Sequence, residues 1–335
     1  MKILSFFTKL LHFIPPEISH SLALNSLKVL YKLGLLSLIS PPNKIAADKT
    51  IRNKENFLGI FRNKLGFAAG LDKNGDFIDC LAALGVGFIE VGTVTPLPQR
   101  GNNKPRLFRD RKEKSLVNKL GFNNKGVDHL VSNLKKRKTK VVIGASIGKN
   151  FNTPNDQAYK DYIICLEKLF ESSDYIAINI SSPNTENLRE LSKKIYLRSL
   201  LTKIKHKQKS LSIAFGYRPI FIKISPDEEL ENLRDICNLI LELQLDGIIC
   251  SNTTLKLQDQ SGEGGLSGAP LKSKATEKLL FIKEIVGDDI PIIASGGVMS
   301  VEDYHEKIDS GADLVQIYTG FIFEGPKLIQ DLVKL

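Results

Sequence analysis

Eight short, apolar, β-rich runs recur along the chain from Gly66 onward, each separated from the next by a stretch long enough for a helix. They are Gly66–Ala69, Phe88–Val91, Val141–Ala145, Tyr175–Ile180, Ile220–Ile224, Gly247–Cys250, Pro291–Ala294 and Leu314–Ile317. Strands that alternate with helices imply a parallel sheet joined by crossovers. An open doubly wound sheet usually shows about five or six such strands, whereas eight over this length is the expectation for a (β/α)8 TIM barrel of the α/β class. Barrel chemistry collects at the C-terminal ends of the strands. Here those ends read Ala69-Gly70-Leu71-Asp72-Lys73, Gly92-Thr93-Val94-Thr95, Asn179-Ile180-Ser181-Ser182-Pro183-Asn184, Lys223, Ser251-Asn252-Thr253-Thr254, Ser295-Gly296-Gly297 and Tyr318-Thr319-Gly320. Polar residues concentrate where a barrel puts its site.

The 335 residues exceed one barrel by a small appendage, and 42% hydrophobic with 25% charged residues excludes a disordered chain, a collagen or a polytopic membrane protein. Four scattered cysteines, with no CxxC pair, suggest neither a disulfide framework nor a metal cluster and point to a reducing compartment. The formal charge of +10 favours anionic partners. Runs such as Lys135-Lys136-Arg137-Lys138 and Lys203, Lys205, Lys207 and Lys209 lack interleaved aromatics and read as solvated helix ends, so no nucleic-acid partner is expected.

Residues 1 to 42 form a distinct N-terminal module, and 43 to 335 the barrel domain. The first segment sets Lys2 and Lys9 among Ile3, Leu4, Phe6, Phe7, Leu10, Leu11, Phe13 and Ile14. Lys9, Pro15-Pro16 and the polar stretch at Ser19–Ser21 leave no window of ~18 apolar residues, so the module should not cross a bilayer. A second helix is expected from Glu17 to Leu38, with Leu22, Leu27, Leu30 and Leu33 along one side. Three readings stand side by side: an amphipathic interfacial anchor, a helical hairpin packed on the core, and a signal peptide, the last disfavoured by Lys9 and the absence of a small-residue cleavage site. Ser40-Pro41-Pro42-Asn43 ends the module.

The loops after the seventh and eighth strands form the usual barrel phosphate site, and Gly296, Gly297, Tyr318, Thr319 and Gly320 suit it. Lys223 has three open roles: a Schiff-base amine, a cation offsetting charge on a flavin or enolate, or a lysine reaching into solvent. Lys73 ends another strand, and two lysines at one mouth favour an anionic ligand. Asn118, Asn123, Asn179, Asn184 and Asn252 present paired donors and acceptors that complement the imide edge of a pyrimidine-like ring. Ser182 has no neighbouring histidine in sequence, so a Ser-His-Asp hydrolase finds little support; a serine acting alone can remove a proton next to a carbonyl.

Ala68-Ala69-Gly70-Leu71-Asp72-Lys73, Asn118-Lys119-Leu120-Gly121-Phe122-Asn123-Asn124, Asn179-Ile180-Ser181-Ser182-Pro183-Asn184-Thr185, Gly265-Leu266-Ser267-Gly268, Pro291–Gly297 and Val315–Phe323 together resemble class 2, quinone-dependent dihydroorotate dehydrogenases, and the match extends over essentially the whole chain. The resemblance implies an FMN enzyme of pyrimidine synthesis that oxidises (S)-dihydroorotate to orotate and passes electrons to a membrane quinone. It implies Ser182 as the base. It assigns substrate contacts to Lys73, Asn118, Lys119, Leu120, Gly121, Phe122, Asn179, Asn184, Asn252 and Thr253. FMN contacts fall to Ala69, Gly70, Leu71, Asp72, Lys73, Thr93, Asn179, Lys223, Ser251, Gly268, Gly297, Tyr318 and Thr319. No metal is implied. Serine rather than cysteine at 182, together with the N-terminal extension, indicates class 2. That extension would dock peripherally on the anionic cytoplasmic face of the cell (inner) membrane and admit quinone to the flavin edge, and the protein is expected to be a monomer. Two positions depart from the family: Ser146 stands for a usual asparagine, making that FMN contact shorter-reached or water-mediated, and Ser251 for a usual threonine, which keeps the hydroxyl. The rival readings are a phosphate-binding Schiff-base lyase using Lys223 and a non-catalytic basic protein.

Overall fold

The structure is a computed structural model that describes residues 8, 10–38, 57–185, 188–256 and 263–334. The expected linker at Ser40–Asn43, the 42/43 boundary, and Ile3 to Phe7 with Lys9 lie outside the described residues.

Eight parallel strands close into a barrel. Its members are β1 (Leu65–Phe67), β2 (Phe88–Val94), β5 (Val142–Ile147), β6 (Tyr175–Asn179), β7 (Ile220–Lys223), β8 (Gly247–Cys250), β11 (Ile292–Ser295) and β12 (Leu314–Ile317), in the order β1-β12-β11-β8-β7-β6-β5-β2. Each expected strand lies within a few residues of its place. The barrel interior is filled by rings. Phe88, Tyr175 and Phe221 pack with Phe57 in one buried cluster, Phe57 lying 5.2 Å from Phe221 and 5.9 Å edge-on from Tyr175. Glycines make the room: a Cβ on Gly144 would sit 2.0 Å from the Tyr175 ring, and one on Gly247 would sit 2.2 Å from Phe221. This explains glycines inside strands where they otherwise weaken pairing.

A second sheet, not expected from the sequence, stands over the barrel. It is antiparallel, in the order β3 (Leu107–Asp110), β4 (Ser115–Asn118), β10 (Gly264–Gly268), β9 (Thr254–Lys256). Its strands are three to five residues long. One of them contains three glycines, so neither alternation nor β-propensity marks it out.

The N-terminal helix α1 (Pro16–Lys32) starts on a proline at its first turn with Glu17 beside it and ends on Lys32, in keeping with the helix dipole. It is shorter than expected. Gly34 takes a positive φ of 74°, and a 3-10 turn at Leu35–Leu38 completes the segment. The buried stripe also differs: Leu24 and Leu27 enter the same apolar cluster as the barrel's outer layer, with Leu30 and Tyr31 packed against it, whereas Leu22 and Leu33 are exposed. Positions 24, 27 and 31 share a helical face; 22 lies well round from it. No helix among the described residues is long and apolar enough to cross a membrane.

Candidate active site

One cavity opens at the C-terminal mouth of the barrel, about 1030 Å³ counting the space at its entrance. Strand ends line its floor and walls: Ala69 and Gly70 after β1, Thr93 in β2, Asn179 closing β6, Lys223 closing β7, Ser251, Asn252 and Thr253 after β8, Gly296 and Gly297 after β11, and Tyr318 and Thr319 after β12. The antiparallel sheet supplies a roof of Leu107, Leu116, Asn118, Ser267 and Gly268. Lys73, Leu120, Gly121, Phe122, Ser182, Asn184 and Gln316 also line it, so Ser182 and Lys223 face the same space.

Three expected contact residues are not among the lining residues. Leu71 is buried in the barrel's apolar cluster. The Asp72 carboxylate accepts the Asp76 and Phe77 N–H groups at 2.9 and 2.8 Å, capping the turn behind the cavity, and burial pushes its pKa up to about 6. Lys119 lays its ammonium over the Phe108 ring, 5.5 Å from the centroid. Ser146 too lies off the lining, fully buried with its hydroxyl 2.8 Å from that of Thr93.

The asparagines hold one another. Asn179 donates to the Thr93 hydroxyl at 2.8 Å, and Asn252 donates to Ser181 Oγ at 3.0 Å and to Asn179 Oδ1 at 3.3 Å. Asn184 donates to Asn118 Oδ1 at 2.8 Å, and Asn118 donates to the Gly265 carbonyl at 3.1 Å. Each amide is thereby oriented before any ligand arrives, which is what preorganised recognition of a planar polar ring needs. Ser182 Oγ accepts the Asn184 N–H at 3.3 Å.

The two lysines differ. Lys223 is paired with Glu90 at 3.1 Å, and both side chains are almost wholly buried. Glu90 also accepts Gln316 Nε2 at 2.8 Å and the Tyr175 hydroxyl at 3.1 Å. Lys73 has no ion-pair partner among the described residues; it donates to Asn123 Oδ1. Burial, aided by the Arg106 charge, lowers its pKa from 10.5 to about 7. His20 of α1 is hydrogen-bonded to the Leu71 backbone, and burial together with the Lys73 charge pushes its pKa down to about 4. Helix α1 is held over β3 by Glu17, which pairs with Arg106 at 2.7 Å, and by Arg109, which donates to the Leu11 carbonyl and the Ser19 hydroxyl.

Glu90, His20 and Gln316 as partners were not foreseen. Only Glu90 left a signal, an acid inside the run Phe88-Ile89-Glu90-Val91.

A cavity at the strand tips of a (β/α)8 barrel, lined by two lysines, Ser182 and interlocked asparagines, lies where barrel enzymes carry their active sites. Comparison with known proteins narrows this. The family model described as dihydroorotate dehydrogenase matches residues 53–334. The chain is 46% identical over 334 residues to the dihydroorotate dehydrogenase (quinone) of Shewanella sediminis, covering 97% of this chain and 96% of that one. It is 45% identical to the protein of the same name from Buchnera aphidicola subsp. Schizaphis graminum, covering 97% of each. Among solved structures, the crystal structure of DHODH from Eimeria tenella in complex with ferulenol superposes with a TM-score of 0.81 at 32% identity, covering 95% of this chain and 90% of that one. The chain belongs to the dihydroorotate dehydrogenase family, whose members are flavin-dependent oxidoreductases.

The lining fits such a cofactor. Two buried polar atoms on it, Gln316 Oε1 and Thr253 Oγ1, have no hydrogen-bond partner and call for a polar ligand. Gly297, on the lining, is required by its backbone: its φ is +78°, and a Cβ there would lie 2.3 Å from Lys272 Cα, so the turn that brings its chain to the cavity tolerates no side chain.

Proposed function

We propose that this chain oxidises (S)-dihydroorotate to orotate in pyrimidine synthesis, with FMN as resident cofactor and a membrane quinone as final acceptor. The observation that carries it is the convergence of Ser182, Lys73, Lys223 and the linked asparagines on one cavity. When bound, FMN supplies the hydride acceptor for substrate C6 and the route for two electrons to quinone. Ser182 removes the C5 proton, so that loss of H⁺ and hydride leaves the C5=C6 double bond of orotate. Lys73 answers the substrate carboxylate, and Asn118, Asn179, Asn184 and Asn252 grip the ring's N–H and C=O groups. Gly296, Gly297, Tyr318 and Thr319 would hold the phosphate of the cofactor, and Lys223, balanced by Glu90, would offset negative charge on its ring. Because Lys223 is already paired and buried, this reading is favoured over a Schiff-base amine, which must be free to attack.

Helix α1 serves the second half-reaction. Its outward side exposes Ile18, Leu22, Val29 and Leu33, with Phe13 before it, an apolar surface suited to lying on the cytoplasmic face of the cell membrane while Leu24 and Leu27 tie it to the barrel. Quinone dissolved in the membrane would approach the cavity from the side that α1 covers, and a single copy of the chain would carry both half-reactions.

The test is spectroscopic. The purified protein should be yellow, bleach with dihydroorotate under anaerobic conditions and recover colour on adding quinone. Ile18→Asp with Leu22→Asp should reduce binding to anionic vesicles and slow reoxidation by membrane quinone without slowing bleaching. A colourless protein inert to dihydroorotate overturns the reading.

A further inference from the structure

The tips of β6 and β8 are not neighbours in the barrel, since β7 lies between them. Pairing through β7 fixes the separation of the two strand tips, but not how the loops beyond them approach each other. Yet Ser182 belongs to the first and Asn252 and Thr253 to the second, and one substrate must touch both. Asn252 itself reaches across to Ser181 and Asn179 on the cavity side, and a second side chain, set back from the lining, spans the same gap. Arg189, in the 3-10 turn Leu188–Ser192, donates from Nε to the Ser181 carbonyl at 3.2 Å and from Nη2 to the Thr253 carbonyl at 3.2 Å. Its third arm, Nη1, reaches Asp227 Oδ2 at 2.9 Å, in the loop after the intervening β7.

Asp227 is an anchor in turn. It accepts the Leu255 N–H at 2.7 Å and the Lys274 ammonium at 2.5 Å, and the Thr254 hydroxyl donates to it as well. The loops after β6, β7 and β8 thus meet on one guanidinium. Its donors diverge in a rigid plane, a geometry that a lysine cannot reproduce. The Arg189 and Asp227 side chains retain 25% and 20% exposure, so the linkage is largely shielded from water yet lies at the edge of the cavity mouth rather than in the barrel interior. Three directed bonds to three loops, outside the apolar core, fit a role in spacing rather than in holding the fold.

We propose that Arg189 is a positioning residue that sets the distance between the Ser182 loop and the Asn252–Thr253 loop, with Asp227 as its anchor; this rests on the proposed base role of Ser182. A misplacement of about 1 Å can cost a hundredfold in rate. Arg189→Lys, which keeps the charge and loses the fork, is expected to slow flavin reduction by dihydroorotate about ten- to a hundredfold. It should also weaken orotate binding, read from the flavin absorbance, several-fold. Bound FMN and the unfolding temperature should match the parent. In the double variant with Asp227→Asn the combined loss should be less than the product of the two single effects, because the Arg189–Asp227 bond is common to both. Guanidinium at millimolar concentration should restore part of the rate of Arg189→Ala. Unchanged reduction and orotate binding in Arg189→Lys overturn the proposal; so does a rate loss that follows lost FMN or lowered melting, which marks a structural role. Ser182→Ala run in parallel separates the two ideas: normal reduction there removes the base assignment, while the orotate measurement, which involves no proton transfer, still decides Arg189.

Discussion

Lys73 offers the sharpest quantitative test, because burial leaves a cation at the cavity wall without a carboxylate. Its pKa falls from 10.5 to about 7, which corresponds to roughly 5 kcal/mol against the charged form. In the folded, ligand-free protein the lysine sheds its proton as pH rises through about 7, whereas in the unfolded chain it keeps it to about 10.5. The destabilisation is therefore complete below pH 7 and fades as pH climbs toward 10.5. Lys73→Met should make the ligand-free protein more stable near pH 6.5, by an amount bounded at roughly 5 kcal/mol, and the gain should shrink steadily in urea titrations at higher pH. Binding reports the same energy with opposite sign. An anion beside Lys73 favours its charged form, so at pH 8 orotate should bind with net proton uptake and lose up to tenfold in affinity per pH unit above about 7. Calorimetry in two buffers of different ionisation heat measures the uptake. A dissociation constant flat from pH 7 to 9, with no uptake, would refute the assignment of Lys73 to the carboxylate.

Other expectations concern single contacts. Ser182→Ala should retain FMN and slow flavin reduction by about a hundredfold or more in stopped-flow measurements; parent-like kinetics would exclude it as the base. Glu90→Gln leaves the buried Lys223 without its counter-charge and should cost about 3–5 kcal/mol in denaturant unfolding, and a loss under about 1 kcal/mol would show that the Tyr175 and Gln316 bonds, not the ion pair, matter there. Gly297→Ala drives a methyl group into Lys272 backbone atoms, 2.3 Å from Cα and 2.7 Å from N, and should weaken FMN retention during gel filtration; an equally yellow variant would place the phosphate elsewhere.

The barrel was legible in the chain because its signals are local: each strand is a short β-rich run, and the turn to follow starts with the polar residues that the strand tip presents. The lining residues Lys73, Ser182, Lys223, Asn252 and Tyr318 could be named on that basis alone. What escaped depends on pairs far apart in sequence. Glu90 finds Lys223, Tyr175 and Gln316 only when the strands close. Asp72 and Lys119 sit beside the right motifs, but the turn geometry aims them away from the cavity. The roof sheet pairs Ser115–Asn118 with Gly264–Gly268, segments too short and too glycine-rich to declare themselves. Helix α1 is amphipathic in any reading, but which leucines face inward was set by the barrel wall it meets. Local periodicity encodes the direction of the backbone; which buried charge finds its partner is a property of three-dimensional closure, since the cost of an unpaired charge exists only once water has been excluded.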